Sequence, residues 1–378
     1  MGCVLLAAHA LTAAEFRPVK GEPGLSYKNE RISSEPWSIH ILRIDRAQSD
    51  LALFSAHARG KVLGVGLLSE QARTVPPELG KTIAAINGDF YVRDNLTYAG
   101  DPRGIQIMNG ELISAPDTAC VWIDPEGNPH LDEVKGPFQV TWADGRKTPI
   151  GLNQQRVPRT AVLYTATYGP TTRAPVGREL VLEREGDGPW LPLQVGQSYQ
   201  ARVREVRTNG NTKLVPDAMV LSLAPQLVAS VPELTNGMVL QISTDTTPSL
   251  KGVKAAIGGG PYLLRNGKAA ITATSPPPGS SGDWSLRSRY ERHPRAAIGW
   301  NATNIFLIIV DGRQPRLSEG MKLAELAGFM ANLGCTDAMN LDGGKSAQMW
   351  MNGEIMNSPC QGEDTVANSL LVLRTAAK

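Results

Sequence analysis

The chain has 378 residues, a formal net charge of +2 and an apolar fraction of 42%. That length suits one large domain or two ordinary ones, with composition typical of a globular protein that buries a sizeable core. A net charge so near zero supplies no strong basic field, so nucleic acid is not an expected partner. The local group Arg287, Arg289, Arg292 and Arg295 reads as solvated surface.

In chain order, the apolar run Val4 to Leu11 ends in the small residues Ala13-Ala14, like the back half of a secretory signal lacking its basic start. Residues 1–14 are therefore expected to be a truncated signal, and the protein to be exported to a periplasmic or extracellular space. The run is too short to span a bilayer and no later segment reaches that length, so no stable membrane insertion is expected. Cysteines stand at Cys3, Cys120, Cys335 and Cys360 with no C-x-x-C pair, which argues against zinc-ribbon and thioredoxin chemistry. Cys335 and Cys360 either pair in an oxidising compartment or stay as buried thiols.

Trp37 to Phe54 reads as short strands, and residues 15–80 as N-terminal strands packing on a core domain of 81–378. Thr82 to Ile86 is a buried strand running into Asn87-Gly88-Asp89. Three hairpins are expected at Asn109-Gly110, Asn266-Gly267 and Asn352-Gly353, because Asn-Gly supplies the positive φ angles of a type I′ turn. The stretch from about 135 to 250 is rich in Val, Thr, Pro and Gly and reads as β-rich. Ser275 to Gly282 is a loop. Ile305 to Val310 is a continuous apolar run, as in a strand buried on both faces. Ser318 is placed to cap a helix over 319–333 that Gly334 ends. Ala338 to Leu341 is a further strand. The expected fold is α+β, a mixed sheet with few helices.

Standard catalytic motifs are scarce. There is no H-E-x-x-H and no G-x-S-x-G. Gly343-Gly344-Lys345-Ser346 fails as a P-loop, because Met339 stands where the first glycine belongs. A repeated layout remains: an apolar strand, then a polar residue set among glycines. It occurs at Asn87-Gly88-Asp89, Gly258-Gly259-Gly260, Asp311-Gly312-Arg313 and Asp342-Gly343-Gly344. Polar groups at strand ends are where ligands commonly bind, and successive glycine N–H groups can form an anion nest. Asn87, Gly259, Arg295, Asp311 and Asp342 are expected to converge on one cleft.

Asn340-Leu341-Asp342-Gly343-Gly344-Lys345-Ser346 resembles the signature N-L-D-G-G-G-S-S of the phosphodiester glycosidase family. Ile86 to Phe90, Gly258 to Pro261, Arg295 to Gly299, Val310 to Arg313 and Val366 to Ser369 match further motifs in the expected order, over about 80 to 373. Lys345, Ala347 and Asp89 depart from the usual Gly, Ser and Gly. The resemblance implies hydrolysis at a sugar C1–phosphate linkage, an activity found in a family member that removes N-acetylglucosamine from a sugar–phosphate–sugar diester. The expected substrate is an anionic glycan or sugar phosphate, as in a cell-envelope polymer. On this reading Asp342, Asp311 and Arg295 are catalytic, with Asp342 acting at the anomeric carbon. Asn87, Asp89, Gly258, Gly259, Gly260, Arg313, Asn340, Gly343, Gly344, Lys345, Ser346 and Asn368 bind substrate. Arg295, Arg313 and Lys345 would hold the phosphate. Asn87 and Asn368 serve sugar hydroxyls or the backbone. No cofactor is required, although the carboxylates could instead hold calcium or magnesium. Two alternatives stand beside this reading: a phosphodiesterase breaking the P–O bond, and a non-catalytic glycan-binding or assembly protein.

Overall fold

The computed structural model describes residues 15–271 and 288–376. The signal expected at 1–14, Cys3, the loop at 275–282 and Arg287 lie outside the described residues.

The first sheet has the strand order Arg17–Pro18, Leu25–Ile32, Trp37–Asp45, Asn304–Val310, Arg295–Trp300, Asp337–Asn340, Tyr262–Arg265, Lys268–Ala269. A second runs Glu354–Ile355, Met349–Met351, Lys81–Asn87, Asn368–Arg374, Leu51–His57. A third runs Pro129–Glu133, Ala119–Ile123, Ala255–Gly259, Gln106–Met108, Glu111–Ser114. An eight-stranded sheet drawn from residues 139–243 is the fourth.

Strand periodicity dictates how these sheets stack. Along Asn304–Val310, Ile305, Leu307 and Ile309 face one way, into a core with Ile83 and Ile86 of the second sheet and Val121 and Ile257 of the third. Phe306, Ile308 and Val310 face the other way, against the helix residues Leu323, Leu326, Ala327 and Met330. The third and fourth sheets share another core built on Ile107, Trp122, Leu163, Leu182 and Leu221. Ser198–Arg207 shows the period-2 burial of a strand wet on one face.

All three Asn-Gly hairpins form, with φ of 50° and 84° at Asn109-Gly110, 50° and 75° at Asn266-Gly267, and 47° and 106° at Asn352-Gly353. The expected sheet-based fold with few helices is present: strand makes up 41% of the protein and helix 9%, so the fold is β-rich and the α+β label fits it only loosely. The sheets are also nearly all antiparallel. Among the described strands, only Gly151–Leu152 and Ala161–Tyr164 pair in parallel. Hairpins need no helical crossover, so few helices are called for. The C-terminal helix begins later than expected, at Leu323 rather than 319. Ser318 does not cap it, because its hydroxyl donates to the Asp311 carbonyl at 2.6 Å. The Lys322 N–H instead meets Glu325 Oε2 at 2.8 Å, and Gly334 follows the last turn with φ 88°. Cys120, Cys335 and Cys360 are free thiols.

Candidate active site

Strand ends from the three inner sheets meet at one place. The Asp342 N–H donates to the Gly88 carbonyl at 3.0 Å, and Asn87 Nδ2 donates to the Asp342 carbonyl at 2.6 Å. The Gly88 N–H reaches the Asn368 carbonyl at 3.0 Å, and the Asp89 N–H reaches Asn368 Oδ1 at 2.7 Å. Asn340 and Gly260 exchange two bonds: Gly260 N–H to the Asn340 carbonyl at 2.7 Å, and Asn340 Nδ2 to the Gly260 carbonyl at 2.9 Å. Residues far apart in sequence, Asn87 to Asp89, Gly258 to Gly260, Asn340 to Asp342 and Asn368, thus form one cluster.

Asp89 is 3% exposed. Its carboxylate accepts the N–H groups of Phe90 and Gly104, each at 2.7 Å. Burial pushes it up to about 7, and the nearby Asp342 charge adds to this against the pull of the two N–H groups and of Arg103. Asp342 is half-buried. Burial raises it to about 6, opposed by a hydrogen bond from Ser346, the charge of Arg93 and the Gly343 N–H. Two carboxylates with raised pKa values, one of them pushed by the other's charge, are what an acid–base site needs near neutral pH.

Asp311 plays a different part. Its carboxylate accepts Ser38 Oγ at 2.9 Å, His40 Nε2 at 3.0 Å, Asn357 Nδ2 at 3.0 Å and the Ser358 N–H at 2.9 Å. Burial alone would raise it, but the bonds from His40, Asn357 and Ser38 hold it below its ordinary value. These four bonds, with Tyr27 Oη 2.6 Å from His40 Nδ1, make Asp311 a bracket between the first sheet and the 357–358 segment.

Arg295 is 5% exposed, and its guanidinium donates to the carbonyls of Met321, Ser288 and Glu291 at 2.7, 2.6 and 3.0 Å. Burial, then the charge of Arg313, lowers it to about 10. Ala297, two residues along the same strand, faces the helix, so Arg295 lies on that side and not between the sheets. The Asp311 and Asp342 loops both rest on Pro294: a Cβ on Gly312 would come 2.5 Å from its nitrogen, and one on Gly343 would come 2.6 Å from its oxygen.

The expected backbone anion nest is largely occupied. The Gly343 N–H serves Asp342, Gly344 N–H serves the Pro294 carbonyl at 2.9 Å, and Ser346 N–H serves the Gly343 carbonyl at 3.2 Å. Side-chain cations remain. Arg313 is exposed and lies over Gly344, with Nη2 3.2 Å from where a Cβ would be. Arg93 donates to Ser346 Oγ at 3.0 Å and to Tyr91 Oη at 2.7 Å. Lys345, half-buried, stands in sequence between Gly344 and Ser346, the residues that these two arginines approach.

Sequence reasoning missed Arg93, Tyr91, Arg103, Gly104, His40, Ser38 and Asn357. Only Arg93 carried a signal, as a cation just past the Asn-Gly-Asp motif. Asn87 has both amide ends engaged, since Oδ1 also accepts the Gln348 N–H at 3.2 Å, so it is a structural clamp. Asn368 Nδ2 and Asn340 Oδ1 are buried without a partner. Among the described residues no three His, Cys, Asp or Glu side chains gather as a metal site.

The β-rich scaffold thus presents a carboxylate pair beside side-chain cations. Residues 196–373, a little under half of the chain, match the model of the phosphodiester glycosidase family. The crystal structure of a hypothetical protein from Synechocystis has a TM-score of 0.74 at 20% identity, covering 96% of this chain and 64% of that one. A Burkholderia pseudomallei protein named for its expected export has a TM-score of 0.69 at 23% identity, covering 89% and 74%. These likenesses show a shared fold. An SPbeta prophage-derived protein of Bacillus subtilis is 36% identical over 83 residues, which are 21% of this chain and 13% of that protein. The chain thus spans under two thirds of the Synechocystis chain and a small part of the prophage protein.

Proposed function

We propose that the protein hydrolyses a sugar-1-phosphate diester at the C1–O bond of an exported, anionic glycan. The observation that carries this is the coupled pair Asp89 and Asp342, flanked on the 342–346 side by Arg93, Arg313 and Lys345. Asp342 is the more exposed of the two carboxylates and acts at the anomeric carbon, as nucleophile or as base for water. Asp89, buried behind it, shares the charge and holds a proton near neutral pH. The leaving group is a phosphate monoester with a second pKa of about 6, so it departs with little protonation. Arg93, Arg313 and Lys345 steady the charge growing on it. Arg295 and Asp311 support the loops that carry these groups.

Hydrolysis in ¹⁸O-labelled water with EDTA-treated enzyme tests the reading. Label in the sugar is expected. Label in the phosphate means P–O cleavage, and no turnover of any sugar-1-phosphate diester favours a glycan-binding protein.

A further inference from the structure

Beside Arg103 the surface sinks into a cavity of about 360 Å³, lined by Asp101, Arg103, Ser114, Asp117, Gln154 and Gln155 among others. That volume falls within the ~300–1,000 Å³ of small-molecule sites. The cavity is one residue removed from the carboxylate pair. Ser114 Oγ, on its wall, donates to the Gly104 carbonyl at 2.7 Å, while the Gly104 N–H donates to Asp89 Oδ2 at 2.7 Å. Arg103 lines this cavity, and its charge acts on both Asp89 and Asp101.

The walls come from two parts of the chain that the fold alone brings together. Asp101 belongs to the segment that follows the Asn-Gly-Asp motif, and Gln154 and Gln155 belong to the fourth sheet's edge. Asp101 is 6% exposed, yet its carboxylate has a single, long bond, from the Gln155 N–H to Oδ2 at 3.3 Å. Among the described residues no donor meets its other oxygen, which is open to solvent. Burial of a carboxylate so poorly satisfied is costly unless a ligand or water supplies donors. The Gln154 amide lies flat over Gly151, where a Cβ would come within 2.9 Å of both its Oε1 and its Nε2.

The chemistry of these walls selects a ligand class. Planar carboxylate, amide and guanidinium groups each present two adjacent acceptors or donors, which match vicinal hydroxyls. Asp101 and Asp117 would repel a phosphate, so the anionic end of a substrate belongs with the cations at the 342–346 segment, Arg93 at Ser346 and Arg313 over Gly344. Asp89 and Asp342 then lie between a neutral, polyhydroxylated end and a phosphate end. We propose that this cavity is a sugar subsite holding the unit next to the one released from phosphate, so that the substrate is an oligosaccharyl-1-phosphate diester. This rests on the hydrolytic reading above.

The test compares kcat/KM on methyl phosphodiesters of a monosaccharide and of the matching disaccharide, in glucose, galactose, mannose and N-acetylglucosamine series. One or two added hydrogen bonds predict a disaccharide preference of about 10-fold in the native protein. Asp101→Asn and Gln154→Ala should each bring that ratio to about 3-fold or below. Gln154, on the surface, guards against a folding defect in the Asp101 variant. Equal rates on the two lengths, or a preference that survives in both variants, overturns the proposal. If no diester is turned over, the hydrolytic reading fails by itself. The subsite is then judged by calorimetric titration of the same disaccharide 1-phosphates. Binding by the native protein that weakens in Asp101→Asn and Gln154→Ala supports it, and absence of binding overturns it.

Discussion

Gly258 lies so close to Asp89 that a Cβ at this position would stand 2.4 Å from the Asp89 Oδ2 atom and 2.8 Å from the Gly104 backbone. The glycine on one strand is therefore what lets the buried carboxylate on another loop sit where it does. Gly258→Ala must displace either the carboxylate or the backbone of Gly104. The expected result is a kcat at least about 10-fold lower with a stability loss of about 1–3 kcal/mol, the usual cost of overpacking. Turnover and thermal unfolding of the purified variant check it, and a native kcat would show that Asp89 need not be held there.

Asp342→Asn keeps the shape of the side chain and removes its charge. Turnover should fall by about 10²–10⁴-fold, the range for a lost acid–base group. Because burial disfavours the charged form of Asp342, the variant should melt no lower than the native protein. A lower melting temperature with kcat preserved would make Asp342 a turn residue only.

Stability should fall as pH rises from about 4 to 8. Asp89 and Asp101 are raised to about 7 and Asp342 to about 6, above the ~3.9 of an unfolded Asp. The native state therefore binds protons more tightly than the unfolded one. The stability this contributes is complete below the unfolded value and is lost as pH climbs through the folded values. For Asp89 the ceiling is about 4 kcal/mol. Urea unfolding across this pH range should show the decline, and Asp89→Asn should flatten it whatever its absolute stability. An unchanged slope would mean that Asp89 titrates normally.

Asp311 predicts the opposite dependence. Its folded pKa is depressed, so its contribution is present above the unfolded value and disappears as pH falls through the folded one. Asp311→Ala leaves Ser38, His40, Asn357 and the Ser358 N–H without their acceptor. It should cost about 3–5 kcal/mol, as breaking a buried charged network does. A stable variant with abolished kcat would instead make Asp311 a direct participant.

Arg313, exposed on the Asp311 loop, is a cation that lies over Gly344 of the Asp342 loop. Its attraction for an anionic substrate is screened over about 10 Å at 0.1 M salt. Arg313→Ala should raise KM by about 10-fold, the effect of a lost charged hydrogen bond, and make KM less sensitive to salt. Equal activity on a neutral glycoside of the same sugar would argue against a phosphate-holding role.

The amino-acid sequence by itself determined the local features. Asn-Gly turns fold as hairpins because their φ angles are set within two residues. The two-faced burial of Ile305 to Val310 follows from an unbroken apolar run. The motifs around Asn87, Asp342 and Asn368 were also legible, since the first two follow a buried strand and the third opens one. Tertiary structure alone decided what those residues do. Asp311 and Asp342 look alike as strand–Asp–Gly units, yet one meets four hydrogen-bond donors from distant segments and the other faces a carboxylate and cations. Arg295 reads as a phosphate holder until strand register turns it toward the helix and onto three carbonyls. Burial and long-range partners set charge and protonation, and neither is encoded within a motif's own few residues.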